Sequence, residues 1–153
     1  MEKMMIHVSE FDNYNNTFSL WSKIYVQING EYFPDDQWWD ATSSVLEMWT
    51  CNINRLISGC INTCLLNFMD GDYTIKLTSN AKGEALAECI GPHETVVLSE
   101  VIDLYYFSRQ ILAAVEKLKV FYADYPNAKV IQHLALEGDK LRIATQNSNH
   151  RRL

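Results

Sequence analysis

The chain has 153 residues, 13 Lys plus Arg against 19 Asp plus Glu, a net charge of −6 and 48% hydrophobic residues, with only 6 Gly and 3 Pro. That composition describes one globular domain and excludes collagen and intrinsic disorder. Its longest apolar runs, such as Ile111 to Val115, fall far short of the ~20 residues that span a bilayer, which excludes a membrane-spanning helix.

In chain order, residues 6 to 11 read as a short strand and Asn13 to Asn16 as a polar turn. From Phe18 to Ile28 the even positions Phe18, Leu20, Ile24, Val26 and Ile28 are apolar and most odd ones polar, the period of a half-buried strand. Asn29-Gly30 supplies the two left-handed residues of a tight hairpin before Glu31-Tyr32-Phe33. Pro34-Asp35-Asp36 is expected to open a first long helix with an aspartate at its N-terminus. Apolar residues at Trp38, Val45, Leu46, Trp49, Ile53, Leu56 and Ile57 give that helix its stripe, Trp39 falls off it, and Gly59 terminates it.

Four meandering strands follow at about 62 to 69, 72 to 78, 84 to 90 and 94 to 98, with turns at Asp70-Gly71, Asn80 to Gly83 and Gly91-Pro92-His93. Ser99 is expected to cap a second long helix that ends at Tyr125-Pro126. A last hairpin, about 129 to 136 and 140 to 145, turns at Glu137-Gly138-Asp139. The predicted architecture is α+β, a mainly antiparallel sheet with two long helices. It forms a single domain over 1–146, followed by a flexible tail at 147–153 that carries His150-Arg151-Arg152.

Charge is unevenly spread, with ten acidic and four basic residues among the first 80. A field of that sign repels phosphate backbones, so no nucleic-acid partner is expected, whereas a basic protein surface is the natural complement. Met1 to His7 lacks the apolar core of an export signal, so the expected location is cytoplasmic, with Cys51, Cys60, Cys64 and Cys89 reduced. Cys60-x3-Cys64 with Cys89-x3-His93 has donor types suited to zinc, but a four-residue offset along a strand spans about 13 Å. Cys89 with His93 is also a candidate nucleophile and base. Nucleotide-binding glycine loops, nucleophile elbows and zincin motifs are absent. No catalytic residue, metal site or cofactor is therefore assigned.

The combination Phe33-Pro34-Asp35-Asp36-x-Trp38, Trp49, Gly59 and Phe68-Met69-Asp70-Gly71-x-Tyr73 resembles small bacterial immunity proteins encoded beside polymorphic or contact-dependent growth-inhibition toxins. The match covers residues 31 to 78. It implies a cytosolic, non-catalytic protein that binds one cognate toxin domain and covers its active site. For a basic partner such as a nuclease, the candidate contact residues are Asp35, Asp36, Asp40, Asp70 and Asp72, with Trp39 as an aromatic anchor. Two other classes stay open: a small hydrolase or transferase assembled from distant Cys, His and Asp residues, and an acidic scaffold subunit.

Overall fold

Alternating apolar residues build the first sheet. The computed structural model describes residues 1–12, 20–124 and 128–152. In it, β1 (Met4–Ser9) and β2 (Ser22–Ile28) pair antiparallel and bury Met4, Ile6, Val8, Ile24, Val26 and Ile28 on one side. The hairpin to β3 (Glu31–Phe33) turns on Asn29 and Gly30, with φ of 53° and 81°, as their residue types dictate. The expected turn at Asn13 to Asn16 and the Phe18 start of the second strand lie outside the described residues, whereas the second helix ends at Phe121 with Tyr122 as its C-cap, short of the expected Tyr125-Pro126.

The first helix begins later than its Pro-Asp-Asp signal. Residues 34–38 form a loop, and β4 (Trp39–Asp40) then pairs with β2 at Lys23 and Ser22. That pairing holds the backbone extended through residue 40, so α1 spans Thr42–Ile57. Asp35 caps no helix; its Oδ1 accepts from the Gln37 N–H at 2.8 Å within the loop. The expected stripe is retained in Val45, Leu46, Trp49, Ile53 and Leu56, all buried.

The second sheet is the expected meander, β5 (Thr63–Asn67), β6 (Thr74–Ala81), β7 (Glu84–Gly91) and β8 (Thr95–Asp103), paired in that order. A turn of 3₁₀ helix at Pro92–Glu94 joins the last two. β8 runs past Ser99 because its pairing with β7 continues to Asp103. The capping role falls to Asp103, which accepts from the Tyr106 N–H at 3.0 Å and starts α2 (Leu104–Phe121). Glu2 bridges the sheets by donating to Val101 O at 2.8 Å and accepting from the Asp103 N–H at 2.9 Å.

The expected final hairpin is instead one helix, α3 (Ala128–Arg152), which continues through the stretch expected as a tail. Its buried positions are Ile131, Leu134, Gly138, Leu141 and Thr145. Spacings of three and four make a helical seam, and that seam packs on α1 and α2. Glu137-Gly138-Asp139 forms no turn: Gly138 lies inside the helix, where it faces Leu112 and Val115 of α2. A Cβ there would sit 3.7 Å from both side chains, ordinary contact. Gly138→Ala is therefore expected to raise stability by about 1 kcal/mol through helix propensity, read as a higher melting temperature. Glycine in a turn that needs it would give a fall instead.

The result is a single α+β domain; among the described residues, two antiparallel sheets and three α-helices share one core. Among the described residues, no helix is long and apolar enough to cross a membrane.

Candidate functional site

An aromatic wedge joins the two sheets at one end. Trp49 of α1 meets Phe68 edge-on at 5.2 Å between centroids, Phe68 meets Phe33 at 5.9 Å, and Tyr73 contacts Phe33 at 5.7 Å and Trp38 at 5.0 Å. These edge-to-face pairs fix the 34–38 loop against the β5–β6 connection. The connection requires glycine at position 71, where φ is 140° and an added Cβ would lie 2.8 Å from Trp38 Cη2.

Asp40 locks the same junction. Its side chain is fully buried and accepts N–H bonds from Trp38 Nε1 at 2.9 Å, Ala41 at 2.7 Å, Met69 at 3.0 Å and Asp70 at 3.2 Å. This corrects the expectation that Asp40 meets a partner, because its oxygens are already used on donors of the chain itself. Trp39 is 40% exposed on the opposite side of β4, opposite Lys23, and lies outside the hollows described below. Lys23 ion-pairs with Glu10 and donates to Gln37 Oε1 at 2.6 Å.

The remaining predicted carboxylates lie on the two segments that Trp38 joins by packing on Phe68 and Tyr73. Asp35 and Asp36 on the loop, and Asp70 and Asp72 on the turn, are all exposed at the end held by the wedge. Among the described residues, none of the four forms a salt bridge. Of the four, Asp72 alone lines a hollow of about 570 Å³, whose wall also includes Asn67, Tyr73, Gly91, His93 and Glu94. A second hollow of about 360 Å³ adjoins it, sharing Tyr73 and Gly91. Among the described residues, no Lys or Arg lines either one, whereas Glu31, Asp72 and Glu94 do. His93 and Glu94 take part through left-handed backbone at φ 62° and 57°; the sequence marks His93 as a turn residue and as a candidate base or zinc ligand, and it does not mark Glu94.

The thiols do not converge on this site. Cys64 of β5 and Cys89 of β7 are buried, with β6 between them, while Cys51 and Cys60 are exposed. Burial pushes the Cys64 thiol up to about 11 and the Cys89 thiol up to about 12, so at neutral pH neither presents a thiolate. Among the described residues, no group of three or more His, Cys, Asp or Glu side chains is placed to hold a metal ion. With an aromatic disulfide reagent at pH 8, Cys51 and Cys60 should titrate quickly, and Cys64 and Cys89 only after unfolding. The raised thiols also set a direction for alkaline stability. A thiol that binds its proton more tightly when folded favours the folded state below its ordinary value of 9.0, and that contribution fades as pH rises through about 11 and 12. Unfolding midpoints should therefore fall above pH 9.

What the site offers chemically is a preformed acidic surface with aromatic walls, suited to guanidinium and ammonium groups. No family model, no curated protein and no solved structure matches this chain.

Proposed function

We propose that this chain is an immunity protein that binds a basic toxin domain and covers its active site. The observation that carries the reading is the exposure of Asp35, Asp36, Asp70 and Asp72, none of them in a salt bridge among the described residues, at the end where Asp72, Glu94 and Glu31 line two hollows. Grouped negative charge on a rigid support raises the association rate with a cationic surface and rejects anionic ones. Asp40 and the wedge supply the rigidity, so little ordering remains to be done on binding. The resemblance across residues 31 to 78 points to the same class of partner.

Co-expression with the toxin domain encoded beside it tests the proposal. Rescued growth and a stable one-to-one complex are the expected results. Continued killing without a complex would remove the immunity reading for that pair.

A further inference from the structure

The two outer edges of the second sheet are treated differently. At β5, the outward carbonyls are covered by α1: Asn52 Nδ2 donates to Leu65 O at 2.9 Å and Trp49 Nε1 to Asn67 O at 2.9 Å. At β8, among the described residues, Glu2 covers only the end, bonding to Val101 and Asp103. Neighbouring residues of an antiparallel strand alternate between facing their partner and facing away. Since Val101 and Asp103 face away from β7, Ser99, opposite Glu88, directs its N–H and C=O outward as well. Ser99 is exposed, and so are Thr95, Val96 and Val97, the two valines at 47% and 57%. An open edge with exposed β-branched residues is a template for another strand.

The surroundings of that edge select the strand's chemistry. The 360 Å³ hollow runs between Glu31, Tyr32 and Pro34 on one side and Thr95, Val97 and Leu98 on the other. Tyr73 and Gly91 also line the larger hollow, which carries Asp72 and Glu94. A second copy of this chain would bring the same carboxylates face to face within a pair already carrying −6 each. An extended segment with alternating basic and apolar residues meets the opposite situation.

We infer that the open edge of β8 around Ser99 receives an extended basic segment of the partner as an added strand, with side chains entering the acidic hollow beside it. Main-chain bonds supply affinity and the hollow supplies selectivity. This rests on the acidic-surface reading above and adds to it a specific backbone contact.

The test uses the full chain, labelled with nitrogen-15, and the synthetic peptide acetyl-Lys-Val-Lys-Val-Lys-Val-amide. Binding that weakens with salt, with exchange of the Ser99 amide slowed at least about tenfold, is expected. Ser99→Pro removes an outward N–H while sparing the bonds to β7, and should weaken binding about tenfold or more with the amide spectrum otherwise preserved. N-methylating alternate peptide residues leaves the protein untouched and should have the same effect, which keeps the inference testable if Ser99→Pro does not fold. Equal binding of the methylated peptide, without Ser99 protection, would overturn the edge contact and leave the acidic surface standing. No binding of either peptide at low salt would overturn both. A dimer abolished by Ser99→Pro would assign the edge to a second copy and overturn the inference.

Discussion

Asp40→Ala should destabilise the fold by roughly 3–5 kcal/mol, because it strands several buried donors at once rather than removing one contact. The side chain is fully buried, and Trp38 Nε1 with the N–H groups of Ala41, Met69 and Asp70 all point at it. In a domain of this size that loss corresponds to a melting temperature lower by roughly 10 °C or more. Asp40→Asn keeps the shape but places an amide NH₂ among donors, so it should recover only part of the loss. Chemical denaturation of the three proteins measures this. An Asp40→Ala protein as stable as the parent would show that the 34–40 segment is not anchored through this carboxylate.

Reversing the exposed charge should do the opposite, sparing stability and damaging association. Asp36, Asp70 and Asp72 are exposed and, among the described residues, none takes part in a salt bridge, whereas Asp35 holds the Gln37 N–H. The triple change Asp36→Lys, Asp70→Lys, Asp72→Lys is therefore expected to leave the melting temperature near the parent's. Its association rate with the basic partner should drop between about tenfold and a hundredfold at low ionic strength. Near 1 M salt, where the screening length falls to about 3 Å, the two rates should converge. Stopped-flow mixing over a salt series reads both effects. A triple variant that associates as fast as the parent at low salt would place the contact elsewhere.

Much of the fold was legible because local chemistry and tertiary context agree. The Asn29-Gly30 hairpin, the α1 stripe and the β5–β8 meander are all found in the structure. The differences share one cause: a turn or cap residue has no say where a strand or helix competes for the same backbone. Pairing with β2 overrode the Pro-Asp-Asp helix start, and pairing with β7 carried β8 past Ser99. Gly138 resembled a turn residue, but its position on the seam through Leu134 and Leu141 is a packing choice against α2.

The site was legible in part for the same reason. Asp35, Asp36, Asp70 and Asp72 lie on chain reversals whose exposure follows from local sequence, and all four are exposed. Asp40 could not be told from them, since its burial depends on Met69 and Asp70, some thirty residues away. The participation of Tyr73, His93 and Glu94 depends likewise on the joining of two sheets. The open edge of β8 has no sequence signature, because edge status is a property of the finished sheet.

The most direct measurement is a hydrogen-exchange footprint of the basic toxin domain on this protein. Protection should concentrate on residues 33–38, 69–73 and 91–100, the acidic end and the adjoining edge of β8. Protection confined to the exposed faces of α2 and α3, with those three stretches exchanging as in the free protein, would contradict it.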